Sequence, residues 1–200
     1  MRAQYLPNDE QLRDLCPKAS QYTNCMIEEA ETCLGRTVEE MERCSHPTFG
    51  KMLSGGRSLA RDICDENSQF RQDYLASREC YKGFSIIGAR HCAYEALRTA
   101  DILMKLSNEP SEEEVAARKC LLETHTYTCL IMELRNSCGE TAQKVFVGVF
   151  SRLKGTSSSI CNSNEAAASE IRTKLFDILN IQGEVRSEVD TALDLLIKRR

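Results

Sequence analysis

Eleven cysteines stand at positions 16, 25, 33, 44, 64, 80, 92, 120, 129, 138 and 161 of the 200-residue chain. No two of them are closer than eight residues. Metal sites draw their thiolates from tight runs such as C-x2-C, so this spacing points away from zinc or iron. The three histidines, His46, His91 and His125, are scattered and build no repeated Cys/His set. What remains is a disulfide framework, which belongs to oxidising compartments. Such a framework admits only folds that bring chosen cysteine pairs to Cα separations below about 7 Å.

The local signals are helical throughout. Asn8-x-x-Gln11, Thr37-x-x-Glu40 and Ser111-x-x-Glu114 fit the reciprocal capping box. Pro7, Pro47 and Pro110 fall between segments, and Pro17 lies near the start of the first. No stretch alternates apolar and polar residues as a half-buried strand does. The pattern predicts helices over 9–34, 37–45, 48–63, 67–106, 111–137, 140–154, 165–181 and 184–198, the fourth kinked or broken near Gly83 or Gly88. The fold class is therefore all-α, a set of disulfide-stapled helical hairpins.

Two of these segments repeat. Tyr22–Gly35 reads YTNCMIEEAETCLG and Tyr127–Glu140 reads YTCLIMELRNSCGE. Aligning them sets Cys16, Cys25 and Cys33 against Cys120, Cys129 and Cys138. Cys64 and Cys161 then close the two halves, about 9–66 and 111–163, with 67–106 between them. Antiparallel helices rise equally, so a hairpin brings its ends together. That geometry predicts Cys16–Cys64 and Cys120–Cys161. A turn near Pro110 lies midway between Cys80 and Cys138 and nearly midway between Cys92 and Cys129, which predicts two further bridges. Cys33–Cys44 would close the first short connection. Cys25 is then left unpaired or linked between molecules, since an odd count cannot close on itself.

The body thus covers 1–163. The remainder, 164–200, lacks cysteine and forms two amphipathic helices packed on that body, with a docking or dimerisation helix as the alternative that the apolar positions leave open. Ile171, Leu175, Ile178 and Leu179 share one face, and Val185, Val189, Leu193 and Leu196 another. The run Lys154–Asn164 reads as a loop between them.

Composition removes several function classes. The net charge of −4 and the lack of a basic stripe argue against a nucleic-acid partner. No window approaches 18 uninterrupted apolar residues, so no membrane span is expected. The opening MRAQYLPNDE has no apolar stretch of a signal peptide and reads as the start of a mature chain.

Catalytic, cofactor and metal motifs are not found either. The chain has no G-x-S-x-G, H-E-x-x-H, phosphate loop or dinucleotide fingerprint. LSGGRS (Leu53–Ser58) lacks the lysine and spacing of a phosphate cradle and reads as a weak or broken helix. His91 and Cys92 are adjacent, and helical neighbours point about 100° apart, so they make no thiol–imidazole pair. The acidic run Glu112–Glu114 suits a helix first turn, where the macrodipole favours negative charge. No catalytic or cofactor-binding residue is assigned, and the chain is expected not to be an enzyme.

The second repeat carries a family resemblance. Cys138–Cys161, CGETAQKVFVGVFSRLKGTSSSIC, runs from cysteine through an apolar helix with phenylalanine to a Thr/Ser-rich approach to cysteine. This resembles the C-terminal module of the arthropod 27-kilodalton hemolymph glycoprotein family, with a match of cysteine spacing extending over about Cys16–Cys161. The resemblance implies a secreted, cysteine-rich, helical protein of an extracellular fluid and carries over no active-site residues. The sequence departs from it in having no N-x-S/T sequon, only the rare N-x-C form at Asn136–Cys138.

Two function classes follow, the first the preferred reading and the second its alternative. The resemblance favours a binding or carrier protein holding a small apolar ligand between helices, with Met26, Met52, Met104 and Met132 as adaptable lining. The odd cysteine favours a structural component of an extracellular material such as silk, cuticle or gland secretion, acting as a homodimer.

Overall fold

The computed structural model describes residues 6–45, 47–84, 87–104, 111–153 and 165–197. Among these residues the chain forms eight α-helices and no strand: α1 Asp9–Leu34, α2 Val38–Glu40, α3 Pro47–Cys64, α4 Gln69–Phe84, α5 Ile87–Leu103, α6 Glu112–Arg152, α7 Glu165–Ile178 and α8 Gly183–Ile197. A π-helical turn, Met41–Ser45, follows α2. The loop expected over Lys154–Asn164 and the turn at Pro110 lie outside the described residues.

Capping side chains set the starts. Asn8 accepts from the backbone N–H of Gln11 at 2.8 Å while the Gln11 side chain accepts from Asn8 at 2.9 Å. Thr37 with Glu40 and Ser111 with Glu114 repeat the arrangement. Each box satisfies two backbone donors that a helix start leaves open. Gly35 ends α1 in the left-handed region at φ 62°, which costs glycine nothing.

The chain divides into two compact units, Met1–Gly83 with Cys138–Ser157, and Phe84–Ser137 with Ser158–Arg200. This division differs from a boundary at 163/164. The cysteine-free α7 and α8 belong with Phe84–Ser137, and the expected body is itself shared between units.

In the first unit α1 packs against α3. Ile27, Val38, Met41 and Leu53 form a buried cluster flanked by Met26 and Ala30. Gly55 of α3 lies so close to Arg152 that a Cβ there would overlap the Arg152 carbonyl oxygen. LSGGRS is therefore continuous helix, and one of its glycines is a contact point. Arg71, 2% exposed, donates to Asp9 Oδ1 at 2.8 Å and to the Ile63 carbonyl at 3.2 Å. Tyr74 donates to the Pro7 carbonyl at 3.0 Å and Arg78 to that of Leu6 at 2.8 Å. Together these tie α4 to the start of α1, to the chain just ahead of it and to the end of α3. Burial pushes the Tyr74 hydroxyl up to about 12, against the pull of Arg78, so it stays a donor.

In the second unit α7 and α8 make a hairpin. Asn180 takes φ 52°, the Ile181 N–H reaches the Phe176 carbonyl at 2.9 Å and the Asn180 N–H that of Asp177 at 3.2 Å. This is the Schellman ending, and Ile181 and Phe176, the positions whose apolar contact accompanies that motif, are both buried. Arg172 then binds Asp190 at 2.8 Å and Asp194 at 2.6 Å across the hairpin. Leu175, Val189 and Leu193 of the predicted faces are buried. Ile178 is 51% exposed, and Phe176, absent from that face, takes the buried position instead. The Leu196 side chain lies outside the described residues.

Within 67–106 the described helices are α4 and α5, and the expected kink near Gly83 or Gly88 falls at residues 85 and 86, outside the described residues. α6 is interrupted at Gly139, whose φ 85° and ψ 174° only glycine adopts readily.

Candidate functional site

The bridges fix which helix faces can meet anything else. Cys16 bonds Cys64, joining the first half of α1 to the last residue of α3, with Cα atoms 5.4 Å apart. Cys80 of α4 bonds Cys138, and Cys92 of α5 bonds Cys129 of α6, with Cα separations of 5.7 and 5.5 Å. These are pairs that hairpin geometry selects. Cys120 is buried and disulfide-bonded. Its expected partner, Cys161, lies outside the described residues. With Cys92 buried in a bridge and His91 exposed, the two form no thiol–imidazole centre.

One pairing is corrected. Cys33 does not bond Cys44; it is a free, exposed cysteine in the last turn of α1, as Cys25 is one helical stretch earlier. The reason is the direction in which the chain leaves α1. Glu31 accepts from the Val38 backbone N–H at 2.9 Å, and Val38 and Met41 turn inward onto Ile27 and Leu53. Cys33 follows Ile27 by six residues, which places it about 120° around the helix from the buried face. The Cys44 side chain lies outside the described residues.

The outer side of α1 consequently carries two open thiols with apolar company. Leu15 is 48% exposed and Tyr22 67%. Lys18, Cys25, Glu29 and Cys33 are exposed beside them. Thiols in this position can exchange with disulfides, oxidise or pair with another chain.

A second feature lies inside the second unit. His125 of α6 is 2% exposed, and its Nε2 sits 3.1 Å from Thr99 Oγ1 of α5. Its Nδ1 and the buried Thr128 Oγ1, both on α6, have no hydrogen-bond partner among the described residues. Burial lowers the His125 pKa below its usual 6.5, with the Glu95 carboxylate pulling the other way. The imidazole is therefore neutral at pH 7, with one ring nitrogen left without a hydrogen-bond partner among the described residues.

No family model, curated protein or solved structure matches this chain.

The four methionines considered as lining are all half-buried, Met26 and Met52 in the first unit and Met104 and Met132 in the second. Met26 packs on the core cluster, and Met41, not among the four, is fully buried within it. Among the described residues no group of three or more His, Cys, Asp or Glu side chains is placed to hold a metal ion, and no helix is long and apolar enough to cross a membrane. The α1 thiol face was half legible in sequence, since an odd cysteine was evident there. The His125–Thr128 pair left no periodicity signal, because a polar residue on a helix carries no mark of its burial.

Proposed function

We propose that this is a secreted, disulfide-braced, non-enzymatic protein that works by association, as a covalently linked component of an extracellular material. The observation that carries this reading is the pair of exposed, unbridged thiols on α1 in a chain whose other described cysteine sulfurs are bridged. A chain equipped with several bridges is suited to an oxidising compartment, and an exposed thiol there is drawn into a further bond. The extracellular setting is also what the resemblance to the hemolymph glycoprotein family implies.

The carrier reading keeps one specific support. His125 Nδ1 and Thr128 Oγ1 are buried without hydrogen-bond partners among the described residues of the second unit, and a small, otherwise apolar ligand bound there would satisfy them. Intact mass under native and under non-reducing denaturing conditions, with thiol counting on the same oxidised sample, separates the two. A disulfide-linked oligomer supports assembly. A monomer that sheds extra mass on denaturation supports the carrier and overturns assembly.

A further inference from the structure

The thiol face of α1 is one narrow stripe. Leu15, Lys18, Tyr22, Cys25, Glu29 and Cys33 follow one another at steps of three or four residues, the spacing that keeps side chains on one side of a helix. Cys25 and Cys33 cannot close on each other. Eight residues of helix rise about 12 Å, beyond the roughly 7 Å that a bridge spans. In the second repeat their counterparts, Cys129 and Cys138, are each bridged to a cysteine of another helix, Cys92 of α5 and Cys80 of α4. The same motif therefore meets helices in one copy and solvent in the other.

Resting on the assembly reading above, we infer that the α1 face is covered by α1 of a second copy of this chain, antiparallel about a two-fold axis at Cys25, with Cys25 bonded to the partner's Cys25. A two-fold interface must be complementary to itself, and charge selects the register. With the axis at Cys25, Lys18 stands across from the partner's Thr32 and within reach of the partner's Glu29, and the reciprocal pair repeats the contact. Tyr22 lies beside the partner's Glu29, and Leu15 beside the partner's Cys33. An axis midway between Cys25 and Cys33 would instead set Glu29 on its own image. A parallel in-register pair would stack Lys18 on Lys18 and Glu29 on Glu29. Like charges in either place oppose association.

The bond forms by thiol–disulfide exchange with a small-molecule disulfide of the glutathione class. The Cys25 thiolate of one copy attacks that disulfide and releases one small thiol, leaving a mixed disulfide. The Cys25 thiolate of the second copy attacks the protein sulfur and releases the other. Two protein thiols lose two protons and two electrons, and the oxidant becomes two thiols.

The full chain and its C25S, C33S, K18E and K18E/E29K variants would be held in a glutathione redox buffer and their intact masses read without reduction, with circular dichroism confirming that each variant is folded. Wild type and C33S are expected to give a disulfide-linked dimer and C25S a monomer. K18E, which sets acid against acid, should slow dimer formation several-fold, and K18E/E29K should restore it. A dimer that persists in C25S, or one linked through another cysteine, overturns the Cys25 register while leaving assembly standing. A wild-type chain that stays monomeric overturns both.

Discussion

Gly55 and Gly56 are neighbours in α3 with opposite tolerances. A Cβ on Gly55 would overlap the Arg152 carbonyl, whereas one on Gly56 meets nothing within 4 Å. Gly55→Ala is expected to destabilise by about 1–3 kcal/mol through overpacking against backbone. Gly56→Ala should stabilise by up to about 1 kcal/mol, since alanine is the better helix former. Urea denaturation of the two variants checks the pair, and equal effects would remove the Arg152 contact as the cause. His125 gives a second expectation at this scale. Its folded pKa lies below its ordinary 6.5 because burial opposes the charge. The unfolded chain therefore takes up a proton as pH falls through about 6.5 that the folded chain refuses. Stability should drop with falling pH across that window, by at most roughly 1.4 kcal/mol per pH unit, until the folded imidazole protonates too. Denaturation midpoints at pH 7.5 and 5.5 should show this slope in wild type and lose it in His125→Gln. A slope shared by both proteins would assign the effect elsewhere.

At the scale of elements, helix ends were more legible than helix faces. The α1 range 9–34 is read directly from a capping box at one end and a glycine at the other, because both signals act within a turn of the residue that carries them. The interruption of α6 is of the same kind. Gly139 holds a backbone conformation closed to other residues, and a Cβ there would meet nothing within 4 Å. Gly139→Ala should therefore cost about 1–3 kcal/mol, all of it conformational. A denaturant midpoint unchanged from wild type would show that the break can relax. Faces were harder. In α7 the apolar spacing admits either Ile178 or Phe176, and the Schellman turn that buries Ile181 decides for Phe176. The fate of Cys33 has the same origin: its position on α1 is fixed by helix period, but the side it presents depends on where Val38 and Met41 dock.

For the whole molecule the bridges are large on the scale of the net stability. The loops closed by Cys16–Cys64, Cys80–Cys138 and Cys92–Cys129 span 48, 58 and 37 residues. In the chain-entropy account each stabilises by about 4 kcal/mol. Together they rival the entire stability of an ordinary domain, about 5–15 kcal/mol. Reduction with a phosphine should lower the melting temperature sharply, and far-UV circular dichroism with and without reductant reads the effect. An unchanged melt would mean that helix packing alone holds the fold. The all-α class, the three capping-box helix starts and the bridges Cys16–Cys64, Cys80–Cys138 and Cys92–Cys129 follow from the sequence, because capping is local and antiparallel helices of equal rise convert chain distance into spatial register. The tertiary structure alone decided the division into two units, the burial of His125 and the exposure of Cys33. Each depends on which side of a helix finds a neighbour, and helix periodicity leaves that open.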